Sequence, residues 1–227
     1  DDLNFTAICP KGNYAKELSS IYKDCINWEI ERKNTFDIKG IINLKNILNS
    51  LEKETIIHSF TLKTGILFSI TNLLVKNNFK GVLSINGLGY LFSNNLKARL
   101  LKFLLSTFIK KVFNESFQEI IFQNENDKEI FLKFSKYSGK TSLIQGSGIE
   151  IKNYIQKETY QTDNIKVIFV SRLLFDKGIN EYIELTKNIK NNNINFFIAG
   201  EIDEGNPNSI TEKELENIKT LENLKYI

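Results

Sequence analysis

Short apolar runs alternating with longer stretches at helical spacing constrain this chain more than any other feature. Leu3–Cys9, Cys25–Ile30, Thr55–Phe60, Gly81–Ile85, Glu119–Gln123 and Thr141–Gln145 read as strands. Between them, Tyr14–Tyr22, Phe36–Leu51, Thr64–Val75, Leu96–Phe113 and Glu125–Phe134 read as helices, the last capped by Asn124. Within Phe36–Leu51, for example, apolar residues fall at 38, 41, 42, 44, 47, 48 and 51, which is one helical face. Parallel strands need crossover connections, so the alternation predicts βαβ units and parallel sheets. Strands that are near-continuous Ile, Val and Phe must be covered on both faces.

A polar stretch without periodicity, 155–164, reads as a linker. It divides the chain into a first α/β domain, residues 1–154, and the beginning of a second, 165–227. Each is expected to be doubly wound. In the second, Val167–Ser171 and Asn195–Ala199 read as strands, Ile179–Leu185 and Thr211–Leu221 as helices, and Leu224–Ile227 as a further strand. So small a sheet leaves apolar faces that further sequence or a partner is expected to cover. The chain contains no Met, and the expectation is an internal part of a longer protein.

Composition narrows the partners. The net charge is only +3, with Lys and Arg interspersed among Asp and Glu, which argues against nucleic acid. Cys9 and Cys25 lack metal-ligand spacing and fit a reduced, cytoplasmic compartment. No run approaches the roughly 18 apolar residues of a membrane span. The wide apolar face of Leu96–Phe113, flanked by Lys102, Lys110 and Lys111, reads either as a core helix or as one that docks peripherally on an anionic membrane surface.

Ligands of open α/β sheets bind outside the carboxyl ends of the strands. His58, Gly87, Gly89, Gly146, Gly148, Arg172, Lys177, Gly200 and Glu201 are all expected there. Arg172 and Lys177 lie in a loop between a strand and a helix, a layout that offers cations and free backbone N–H groups to a phosphate. The bland reading is a solvated basic loop. Gly87-Leu88-Gly89 is either a tight turn or a place where backbone approaches a ligand. His58, the only histidine, is either a buried structural residue or a group that polarises a sugar hydroxyl. Asp203-Glu204 reads as a polar loop. There is no Walker loop, no GxSxG and no His/Cys cluster for a metal.

The segment FVSRLLFDKGINEYIE resembles the donor-phosphate motif of family-4 glycosyltransferases, which have the GT-B fold of two Rossmann-like domains. IIHSFTLKTGI, SINGLGYLF, IIFQNENDKEIF, LIQGSGIEI and FFIAGEID resemble further segments of that family, in the same order. The resemblance covers most of the chain and is nearest to bacterial enzymes that elongate lipid-linked surface glycans. It implies a retaining transfer of a sugar from a nucleotide-sugar donor, usually a UDP-sugar, to a glycan or polyprenyl-diphosphate-linked acceptor, with no cofactor or metal. Arg172 and Lys177 would hold the donor diphosphate. His58 and the Gly87–Gly89 loop would line the acceptor side, Gly146 and Gly148 would approach the donor, and Gly200 and Glu201 would border it. It also implies that the first strand of the N-terminal domain precedes Asp1, that a glutamate-containing donor region follows Ile227, and that the fragment alone is inactive. A nucleotide-sugar epimerase of the same fold, or a two-lobed binding protein, are the alternatives.

Overall fold

The computed structural model of the chain describes residues 4–12, 15–31, 37–88, 106, 109–146, 148–155, 164–191, 193–204, 206 and 208–227. Contacts divide it into two compact units, Asp1–Glu150 and Ile151–Ile227. Most of the expected linker, 156–163, lies outside the described residues.

The first unit runs β1 (Thr6–Cys9), α1 (Ala15–Ile21), β2 (Asp24–Asn27), α2 (Ile38–Asn49), β3 (Ile56–Phe60), α3 (Leu62–Asn72), β4 (Lys80–Ile85), a helical stretch over 109–116 (α4), β5 (Phe117–Phe122), α5 (Glu125–Ser135) and β6 (Lys140–Leu143). All strand pairs are parallel, as the alternation predicts. β1 and β2 form one sheet and β3-β4-β5-β6 another, in that spatial order. Both pack on a single core, in which Ile8 and Ile26 join Leu44, Leu48, Leu67 and Leu83. The strand expected to reach Ile30 stops at Asn27. Trp28 leaves it because the indole turns inward and donates its N–H to the carbonyl of Gly40 at 2.8 Å.

Because β3 to β6 follow one another in space as in sequence, right-handed crossovers put their helices on one face of the sheet. Ring contacts show it. Phe68 of α3 and Phe113 of α4 both meet Phe117 of β5, at 5.6 and 5.1 Å, while Phe131 of α5 meets Phe122 at 5.7 Å. The β4–β5 register shifts between Gly81 and Val82, where Gln118 of β5 is passed over, and Gly81 lies against this cluster. A Cβ at that position would lie 2.7 Å from the Phe68 ring and from the Ser116 carbonyl oxygen, so glycine lets the two layers close. The opposite face carries Ile56, His58 and Phe60, all exposed.

Asn124 caps α5 as expected, its side chain accepting from the Asp127 N–H at 2.8 Å. Most of the long helix expected over 96–113 lies outside the described residues. At its described end Ile109, Val112 and Phe113 are buried in the core and Lys110 and Lys111 are exposed. No described helix is long and apolar enough to cross a membrane.

The second unit runs β7 (Ile165–Val170), a 3-10 turn at Phe175–Lys177, α6 (Ile179–Asn188), β8 (Ile194–Ala199), α7 (Glu212–Lys219) and β9 (Leu224–Tyr226). Its sheet is parallel with order β7-β8-β9, so α6 and α7 again share one face. Phe196, Ile198, Leu215, Ile218 and Leu224 form its core. α7 opens with a capping box, in which Thr211 accepts from the Glu214 N–H and Glu214 accepts from the Thr211 N–H. On the opposite face Ile168 and Val170 are 49% and 71% exposed, the uncovered surface expected of so small a sheet.

Phe131 is fully buried, and Phe131→Ala is expected to cost about 3–5 kcal/mol through lost burial and the cavity left behind. Urea unfolding followed by the emission of Trp28, the only tryptophan, checks this. A loss below about 1 kcal/mol would show that the aromatic cluster repacks freely.

Candidate functional site

The carboxyl end of β7 and the carboxyl end of β8 are stitched into one surface. Arg172 follows β7 by two residues, and Gly200 and Glu201 follow β8 directly. Leu173 and Leu174 are buried pegs, 0% and 2% exposed, that hold the first loop against the core. Leu173 donates its N–H to Glu201 O at 3.0 Å, and Ile210 and Phe175 donate to Leu173 O and Asn208 O at 3.0 and 2.8 Å. Gly200 sits where the loops touch. A Cβ there would lie 1.8 Å from the carbonyl oxygen of Ser171, so only glycine fits.

Within this surface Arg172 points outward and Asp203 lies beneath it. The Arg172 Nη1 donates to Asp203 Oδ2 at 2.6 Å, with side-chain exposures of 54% and 6%. The expectation of a plain polar loop at Asp203-Glu204 is thereby corrected for Asp203, whose carboxylate is buried. Its burial is tolerable because it accepts from Arg172 and, at 2.9 Å, from Asn206 Nδ2. Lys177 ends the 3-10 turn and is exposed. Gly178, at φ 84°, then turns the chain into α6. The first-turn N–H groups of α6 therefore follow directly on Lys177. Arg172, Gly200 and Glu201 belong to this one surface, and Lys177 ends the same β7-to-α6 connection.

The first unit has its own carboxyl-end loops. Gly87 lies two residues beyond β4 and is exposed; Gly146 and Gly148 follow β6 at φ 77° and 72°. Among the described residues nothing stands within 4 Å of a Cβ built at any of the three. Their backbones are accessible, and at 146 and 148 the left-handed conformation favours glycine. Gly89 lies outside the described residues.

His58 is placed differently from the strand-end position that the sequence suggests. It is the middle residue of β3, on the face away from the helices. Its Nε2 is 2.8 Å from Ser84 Oγ on β4, and its ring stacks on Phe60 with centroids 4.3 Å apart and planes inclined by 26°. Ser84 fixes the ring, and the tautomer decides whether Nδ1 donates or accepts. Although the residue is exposed, desolvation on the ring's inner side lowers its pKa from the ordinary 6.5, favouring neutral imidazole. In the same cross-strand row, Glu119 accepts from Lys140 at 2.9 Å and from Ser142. Those hydrogen bonds, with Ser142 first, hold its carboxyl below the usual range. It is a paired surface group, and among the described residues His58 has no ion pair.

After β3, Thr61 adopts φ 79°, which is unusual for a β-branched residue. Thr61 N–H donates to Ser84 O at 2.9 Å and Thr61 O accepts from Gly65 N–H at 3.2 Å, so the turn is held from both sides. Lys63 reaches back to the carbonyl of Glu31. The sequence points to His58, Arg172 and Lys177 but not to Ser84, Thr61 or the buried carboxylate of Asp203. A lone serine in a strand, and an acidic residue in a loop, carry no spacing that announces a partner. Among the described residues no group of three His, Cys, Asp or Glu side chains is placed to hold a metal.

No protein-family model matches the chain, and no curated protein does. Solved structures share its fold. One is Anabaena Alr3699/HepE in complex with UDP-glucose, at TM-score 0.65 and 14% identity, over 96% of this chain and 58% of that one. Another is Anabaena Alr3699/HepE in complex with UDP, at TM-score 0.62 and 13% identity, over 99% of this chain and 69% of that one. This chain thus spans little more than half the length of the first. At such identity the likeness establishes an α/β fold with parallel sheets of the Rossmann-like kind.

Because His58 is the only histidine, a proton NMR titration reads it alone. The expected pKa lies below 6.5. Below about pH 6.5 the unfolded chain then takes up a proton that the folded chain resists, so stability falls as pH drops toward the lowered folded value, and the term is fully present above pH 6.5. His58→Gln is expected to remove that slope. A titration at or above 6.5 would show the ring to be fully solvated.

Proposed function

We propose that the full-length protein is a glycosyltransferase that moves a sugar from a nucleotide-sugar donor, a UDP-sugar, to a glycan or lipid-linked acceptor with retention of configuration. The observation that carries this reading is the outward-facing Arg172 at the end of β7, backed by a buried carboxylate and followed by Lys177 and the opening of α6. Anabaena Alr3699/HepE, which shares the fold, is complexed with UDP-glucose and with UDP in its crystal structures, which supports a uridine nucleotide as the ligand class.

In this reading the bond between the sugar C1 and the phosphate oxygen breaks while an acceptor hydroxyl oxygen bonds to C1 and its proton passes to the departing diphosphate. Negative charge develops on the departing diphosphate. Arg172 supplies directed N–H donors to it and Lys177 a compact charge, so both are worth more in the transition state than in the ground state. These cations, rather than a metal, are assigned to offset the leaving group. Gly200 and Glu201 border the donor. His58, neutral near pH 7, is assigned to the acceptor side together with the Gly87 and Gly89 loop, where imidazole can hydrogen-bond a hydroxyl without the cost of a buried charge. Gly146 and Gly148 offer accessible backbone to the donor. The acceptor chemistry proposed, a lipid-linked glycan, would place the protein at the cytoplasmic face of a membrane.

Calorimetric titration of the full-length protein with UDP tests the donor assignment. Arg172→Ala combined with Lys177→Ala is expected to weaken binding at least tenfold, about 1.4 kcal/mol or more. Unchanged affinity would sink the phosphate assignment. His58→Ala is expected to lower turnover while leaving UDP affinity within about twofold.

A further inference from the structure

We propose that Asp203 is a positioning residue for the donor diphosphate, acting through Arg172. The inference rests on the reading of Arg172 given above. Three observations carry it. The ion pair is asymmetric, with a guanidinium 54% exposed above a carboxylate only 6% exposed, so the carboxylate lies on the protein side and the remaining N–H donors face solvent. The carboxylate is itself held, because the same Oδ2 accepts from Asn206 at 2.9 Å. And its backbone is tied to the chain next to Arg172. The Asp203 N–H donates to Ser209 Oγ at 2.9 Å, and Ser209 Oγ donates to the carbonyl of Leu173 at 3.3 Å. The ring Arg172, Asp203, Ser209, Leu173 closes on itself.

A surface ion pair between two mobile side chains would contribute little and fix nothing. Here one partner is immobile, and Arg172 is thereby restrained before any ligand arrives. A free arginine side chain samples many rotamers, and restraining it in advance reduces what ligand binding must otherwise spend on ordering it. The cost is that the carboxylate offsets part of the guanidinium charge. Orientation and charge thus pull in opposite directions, and orientation wins.

The test is a double-mutant cycle in the full-length protein, read by UDP calorimetry, with thermal melting as the check on folding. Asp203→Asn keeps the shape and an acceptor oxygen but removes the charge that anchors Arg172. It is expected to weaken UDP roughly three- to tenfold, as charge-assisted bonds are about twice as strong as neutral ones. In an Arg172→Ala background the same change is expected to alter affinity by less than about twofold, because the residue through which it acts is gone. Asp203→Glu, which keeps the charge, is expected to recover most of the wild-type affinity, and it carries the test if the Asn variant does not fold. Wild-type or tighter binding by Asp203→Asn would overturn the proposal, as would an equal loss with and without Arg172, which would mark Asp203 as a loop staple alone. A normal affinity in Arg172→Ala by itself would instead overturn the phosphate reading, and is seen in a different arm of the cycle.

Discussion

Parallel pairing with right-handed return is the constraint on which this structure depends. Each strand must be followed by a helix that carries the chain back, and the hand of that return decides which face the helix covers. In both units the described strands run in spatial order, so the returning helices gather on one face. Within each parallel sheet every strand then ends at the same edge, and the strand-to-helix loops of that sheet open there. The loops after β7 and β8 are neighbours for that reason, before any of their side chains is considered.

What differs between the loops is how they are held. At β7 and β8 two buried leucines, backbone bonds between the loops, and a glycine with no room for a side chain bind two connections into one body. At β4 and β6 the glycine loops are open, with space around each described residue. The cationic surface is therefore rigid in its foundation, while the glycine loops present backbone alone.

The fold was legible because burial imposes periodicity. Strand runs such as Ile194–Ala199 and caps such as Asn124 are local, and local chemistry decides them. Boundaries slipped where a tertiary partner intervened: Trp28 ends β2 early because its indole finds Gly40 across the unit. The candidate site was legible in part. Arg172 and Lys177 stand out because cations close to a strand end have few structural reasons to be there. Asp203 did not, because nothing in a stretch of 31 residues tells which carboxylate an arginine will meet. His58 was found as a residue and its strand was read to the same end, Phe60, but the ring sits within the strand rather than beyond it, and its partner Ser84 carries no sequence signal.

The pairing of Arg172 with Asp203 also sorts the two cations by range. A guanidinium held against a carboxylate is, from a distance, a dipole, and its field falls away faster than that of a lone charge. Lys177 has no carboxylate within ion-pair distance among the described residues, so it acts as a monopole. In the proposed donor site, attraction across the roughly 8 Å that physiological salt permits would rest mainly on Lys177. Arg172 would act at contact, where the direction of its N–H bonds matters more than the net charge behind them. The rate of encounter with a diphosphate and the geometry of its capture would then fall to different side chains, five residues apart in sequence.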